Sequence, residues 1–211
     1  DTNVEGMPTS NGSPIFAGTI AEADDLLVAR LRRHGPIFIG KTNLPEFGMG
    51  SQSYNQVFPT TGSAWNPELT AGGSSGGAAC GLGTQMLTVA NGGDLMGSLR
   101  NPGAYTNVIG FRPTQGRVPD SRGSDLFYQQ MSTGGPMGRN AEDTARLLVT
   151  MAGRTPVQPL SLRDRLPEVG EWQPLDLTGV KIGWMADYDG YLPMEPGVLE
   201  ICSASLQMAA E

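Results

Sequence analysis

Two serines stand on glycine-rich turns in this chain. Ser74 lies in Gly72-Gly73-Ser74-Ser75-Gly76-Gly77, and Ser98 lies 24 residues (98 − 74) further on, in Gly92-Gly93-Asp94-Leu95-Met96-Gly97-Ser98-Leu99-Arg100. Alone, the first segment is a turn with a serine at the start of a helix, which is common. As a pair, the segments put two hydroxyls where glycine lets the backbone approach a substrate closely. A serine hydroxyl is a poor nucleophile until a neighbouring base takes its proton, and histidine is the usual base. The single histidine, His34, follows Arg32 and Arg33 at the end of a helical pattern. A cation is favoured there by the helix dipole, so His34 reads as structural. A histidine triad is therefore set aside, and a Ser–Lys type of activation becomes the leading alternative.

A competing motif is Gly35-Pro36-Ile37-Phe38-Ile39-Gly40-Lys41-Thr42, which satisfies the G-x-x-x-x-G-K-[ST] phosphate-loop pattern. A working phosphate loop follows a strand and opens a helix, so that backbone N–H groups face the phosphates. Here the context is inverted. A helical pattern precedes Gly35, the four variable positions read as the strand, and Pro45 falls where the next helix should build. Lys41 then reads as a strand-end lysine held by local carbonyls or carboxylates, and nucleotide binding at Gly35–Thr42 stays a remote alternative.

The elements that must position the serines alternate between helix and strand. Thr19-Ile20-Ala21-Glu22 reads as a capping box opening an amphipathic helix through Ala23, Leu26, Leu27, Arg30 and Leu31, which Gly35 stops. Pro36–Gly40 is predicted as a buried strand, residues 50–73 as a long functional loop, and Ala78–Leu82 as a closely packed helix. Met86–Ala90 is predicted as a strand ending at Asn91-Gly92-Gly93, and Val108–Phe111 as another. Asn140 caps a helix over Ala141–Met151 that Gly153 terminates. Residues 154–178 are a proline-rich connector, Val180–Trp184 restarts a strand, and Pro196–Ala210 is helical. The pattern is α/β.

Composition narrows the function. The chain has 211 residues with 14 Lys+Arg against 21 Asp+Glu, a formal charge of −7 that disfavours nucleic acid and anionic lipid. One histidine and two distant cysteines, Cys80 and Cys202, offer neither a metal site nor a disulfide framework, and no cofactor is expected. No apolar run reaches the ~20 residues of a membrane span, and no signal peptide is recognisable. A cytoplasmic protein is the expectation.

The motifs taken in series resemble one family. Gly40-Lys41-Thr42-Asn43-Leu44-Pro45-Glu46-Phe47, Asn66-Pro67, Gly72–Gly77, Asp94–Arg100, Gly110-Phe111-Arg112-Pro113-Thr114, Gly116-Arg117-Val118 and Gly135-Pro136-Met137 follow one another as in the amidase signature family. The serine spacing is also the family's. The resemblance is strong over residues 1–153 and loose beyond. It implies an α/β fold with a mixed β-sheet core sandwiched by helices, here incomplete: 1–153 is the core with both serines, 154–178 the connector, and 179–211 the start of further elements of the same domain.

The implied chemistry is hydrolysis of a carboxamide to acid plus ammonia or amine through a Ser–cis-Ser–Lys triad. Ser98 is the acylated nucleophile. Ser74, in a cis peptide with Gly73, relays protons to a lysine, and the backbone N–H groups of Leu95, Met96, Gly97 and Ser98 form the oxyanion hole. Ser75, Asp94 and Arg100 support the site, and Gly48 and Met49 are expected to touch a small-molecule amide substrate. Two departures stand out. Met96 and Gly93 replace the family's usual glycine and threonine, which makes the floor of the site bulkier. The family lysine precedes an aspartate matched by Asp1, so it is expected just upstream of this chain. On that reading the chain is an amidase fragment, inactive alone or serving as a catalytically dead binding module, and a homo-oligomer is compatible with its cut sheet edges.

Overall fold

The computed structural model describes residues 2–120 and 130–210. They fall into two compact units, residues 1–171 and 172–211. In the first, three antiparallel strands form a sheet in the order β1-β3-β2, with β1 Val89–Asp94, β2 Ile109–Gly110 and β3 Thr133–Gly138. The β1–β3 register runs from Val89 opposite Gly138 to Asp94 opposite Thr133. Helices cover both faces, because successive strand residues point to opposite sides. Met137 packs with Ala78, Ala79 and Leu82 of α2 (Gly76–Gly83) and with Leu99. Its neighbour Gly138 faces α4 (Ala141–Met151), where an added Cβ would come within 2.6 Å of Thr144 Oγ1. A second cluster of Leu31, Val118 and Met151 joins α1 (Leu26–Arg32) to α4. The helix α3 (Arg100–Thr106) follows the Ser98 turn.

The central strand β3 is the element that the residue pattern conceals. It contains Gly134, Gly135 and Pro136, and a proline argues against a central strand because it cannot donate to the ladder. Pro136 O accepts from Phe111 N–H at 3.1 Å, so the polar edge of Pro136 faces the two-residue β2 and the ladder to β1 loses no donor. The predicted strand 86–90 is shifted: β1 starts at Val89 and runs through the glycines expected to end it. Gly92 is required there, since a Cβ would come within 2.4 Å of Ser75 Oγ and 2.9 Å of Leu99.

Three other expectations are corrected. The segment Thr19–Glu22 is not a capping box: Ile20 bridges Pro8, and Thr9 N–H and Ala21 N–H bond to Thr19 O and Met7 O. The helix begins only at Leu26, and the Asp25 carboxylate accepts from Asn3 N–H at 2.7 Å instead of capping it. Pro36–Gly40 forms no strand and pairs with none among the described residues. Phe38 packs on the second cluster beneath the Arg32 guanidinium (5.1 Å), while Ile37 and Ile39 are 88% and 71% exposed. An apolar run becomes a buried strand only when another strand lies alongside. The same applies to Val180–Trp184 in the second unit, which forms no strand and leaves Val180, Ile182 and Trp184 exposed. That unit contains α5 (Val198–Ala210).

The α2 and α4 helices lie where the sequence put them. Asn140 Oδ1 accepts from Asp143 N–H at 2.8 Å, the N-cap bond that the pattern predicts. Asn140→Ala should cost about 1 kcal/mol and lower the unfolding midpoint by about 2–4 °C, read by differential scanning calorimetry.

Candidate active site

Asp94 is the last residue of β1 and is 0% exposed. Its carboxylate accepts from Gly97 N–H (2.8 Å), Leu99 N–H (3.2 Å), Arg100 Nε and Nη2 (both 3.0 Å) and Arg112 Nη1 (3.0 Å). Arg112 Nη1 also donates to the Asp94 carbonyl. Burial alone would raise the Asp94 pKa; the hydrogen bonds from Arg100, Gly97, Leu99 and Arg112 outweigh it and hold the carboxyl far below the usual carboxylate range.

These bonds shape the turn that presents Ser98. Gly97 has φ +118°, and a Cβ on it would stand 2.9 Å from the Asn101 side chain, so only glycine fits without strain. Leu99 anchors the far side of the turn in the first cluster. Between the two anchors, Leu95 and Met96 are exposed, Met96 by 78%, and Ser98 is half-buried. The Gly97 N–H is committed to Asp94. The N–H groups of Leu95, Met96 and Ser98 have no hydrogen-bond partner among the described residues.

The Ser74 turn lies against this one. Ser75 N–H donates to Ser98 O at 3.2 Å, and Ser75 Oγ donates to Gly93 O at 3.4 Å. The Gly73–Ser74 peptide is cis, as the resemblance implies. Ser74 is half-buried, while Ser75 is buried at the start of α2. Gly48 and Met49 belong to a 3-10 turn whose N–H groups bond to Pro45 O and Glu46 O, in the segment preceding Ser51–Ser53. Lys41 is no strand-end lysine, because residues 36–40 form no strand; its Nζ donates to Pro8 O at 2.8 Å, a carbonyl from the start of the chain. His34 lines a cleft of about 620 Å³ beside α4, with Thr150, Arg154 and Arg163. Among the described residues no cluster of three or more His, Cys, Asp or Glu could hold a metal ion, and no helix is long and apolar enough to cross a membrane.

Sequence reasoning missed two contributors. Arg112 lies inside the quoted Gly110–Thr114 motif, whose arginine was the available signal. Ser53, whose Oγ lies 3.0 Å from Gly72 O, gave none.

A depressed folded-state pKa means that Asp94 contributes stability above the ordinary aspartate value of about 4 and loses it as pH falls through the lower folded-state value. Asp94→Asn should therefore destabilise the chain by about 3–5 kcal/mol at neutral pH. The gap to the unmodified chain should narrow as pH is lowered from about 5 toward 2 in urea titrations. A gap independent of pH would contradict the buried, ionised carboxylate.

Comparison with known proteins gives the family. The amidase family model matches residues 1–208. Over 203 residues the chain is 36% identical to a glutamyl-tRNA(Gln) amidotransferase subunit of Pseudomonas putida (strain GB-1), covering 96% of this chain and 41% of that relative. Its structure is similar to a bacterial aryl acylamidase of the amidase signature enzymes (30% identity, TM-score 0.73, 78% of this chain and 34% of that one). It is also similar to a 6-aminohexanoate cyclic dimer hydrolase complexed with substrate (27% identity, TM-score 0.72, 76% and 34%). The chain thus spans less than half the length of each of these proteins. The chain belongs to the amidase signature family.

Proposed function

We propose that this chain carries the nucleophile of an amide hydrolase. The observation that carries the reading is the junction of two glycine–serine turns through Ser75 N–H and Ser98 O, beside three backbone N–H groups without acceptors among the described residues. Ser98 Oγ attacks the carboxamide carbon and forms the C–O bond. Its proton passes through Ser74 to a base. The negative charge that develops on the carbonyl oxygen is met by the N–H groups of Leu95, Met96 and Ser98, which stabilise a tetrahedral intermediate. Gly97 N–H supports the turn through Asp94 instead of joining that set.

The C–N bond then breaks, the proton returns to the leaving ammonia or amine, and water hydrolyses the ester on Ser98 to the acid. By the family resemblance the base beyond Ser74 is a lysine preceding Asp1. Lys41, held by Pro8 O, and His34, beside α4, are not used. The named relatives act on different amides, and the backbone donors recognise what those substrates share. The bulky, exposed Met96 stands where acyl selectivity would be exerted.

The test uses the chain extended at both ends to the length of its relatives. Ser98→Ala should abolish amide hydrolysis and labelling by a fluorophosphonate. Ser74→Ala should leave a small residual rate, since loss of a proton relay costs about 10²–10⁴-fold. Full activity in Ser98→Ala would refute the assignment.

A further inference from the structure

Ser53 is a buried loop serine, 2% exposed. Its Oγ accepts from Gly76 N–H at 3.0 Å and lies 3.0 Å from Gly72 O and 3.2 Å from Ser74 O. A hydroxyl has one proton and two lone pairs. The accepting side holds the first N–H of α2, and the single proton serves the carbonyls on either side of Gly73. Three points along five consecutive residues are therefore tied to one atom.

Ser53 is itself held in place. Its carbonyl accepts from Thr61 N–H (3.0 Å) and from Asn43 Nδ2 (3.4 Å). Asn43 Nδ2 also reaches Pro59 O (2.9 Å) and Thr61 Oγ1 (3.1 Å), its Oδ1 accepts from Asn55 Nδ2 (2.7 Å), and its own carbonyl accepts from Gly77 N–H (3.3 Å). The network runs from the loop into the start of α2, and Ser53 is its last member before Ser74.

We infer that Ser53 is a positioning residue for Ser74: its hydroxyl fixes the backbone on both sides of Ser74 and so aims the Ser74 side chain at Ser98. This rests on the reading of Ser74 as proton relay. Ser53 touches neither substrate nor nucleophile in that scheme, so its loss should act on the rate of proton transfer and not on substrate affinity. Truncation to alanine would strand Gly76 N–H without an acceptor and release two carbonyls. A relay displaced by about 1 Å can cost up to about 10²-fold in rate.

The experiment compares Ser53→Ala, Ser53→Thr, Ser98→Ala and Thr144→Ala in the chain extended to the length of its relatives. Thr144 donates a comparable hydroxyl bond to Asn140 O (2.7 Å) on the opposite face of the sheet, and it controls for simple destabilisation. Ser53→Ala should lower kcat by about 10–100-fold with KM almost unchanged, and should slow fluorophosphonate labelling of Ser98 in parallel. Ser53→Thr, which keeps the hydroxyl, should recover most of the loss, and Thr144→Ala should lower the melting temperature without changing kcat. Should the alanine variant not fold, Ser53→Cys keeps the volume with a weaker donor and should show the same kcat loss in smaller measure. A raised KM with kcat intact, or a kcat loss no larger than that of Thr144→Ala, overturns the positioning role. Activity surviving in Ser98→Ala would instead overturn the underlying reading of the serines, so the two failures are distinct.

Discussion

A carboxylate without solvent at the end of a strand is tolerable only if nearly every lone pair is met by a donor, and Asp94 meets that condition with five N–H groups. Those donors come from the turn, from α3 and from the segment after β2. One anion thereby fixes the exit of β1, the entry of α3 and the return of the chain toward β3. The Ser98 turn is held from inside by this charge, which is why the N–H groups of Leu95, Met96 and Ser98 need no acceptor among the described residues to keep its shape. Removing the anion would leave the Arg100 and Arg112 guanidiniums beside one another with nothing between them.

The legible parts of the sequence are those where a local rule decides the outcome. The Asn140 cap and the small residues of α2 read directly, and so do the two glycine–serine turns. Where a distant partner decides, the reading fails in a consistent direction. Pro136 and its glycines look like loop, yet become the middle strand because β1 and β2 flank them. Pro36–Gly40 and Val180–Trp184 look like strands, yet stay unpaired among the described residues. Thr19–Glu22 looks like a capping box, but Thr19 O accepts from Thr9 N–H and Ile20 bridges Pro8 instead.

The site divides in the same way. Ser74, Ser98, Asp94 and Arg100 carry recognisable motifs, and the geometry brings them together. Ser53 and Arg112 matter only through bonds to residues 18–23 positions away, and no spacing rule exposes such a partnership. Gly97 shows the converse: its position in the turn suggests a donor for substrate, and only the folded turn reveals that Asp94 already occupies that N–H.

The apolar segment Pro36–Gly40 also bears on colloidal behaviour. Its isoleucines face outward, and its backbone N–H and C=O groups have no strand beside them among the described residues, so a second molecule could add to it edge to edge. Near neutral pH the formal charge of −7 opposes such encounters, but the sequence isoelectric point is about 4.7. As buffers approach that value the repulsion disappears while the bare edge stays. Mild acid should therefore precipitate this polypeptide before it unfolds it, with the folded molecules themselves as the sticking species.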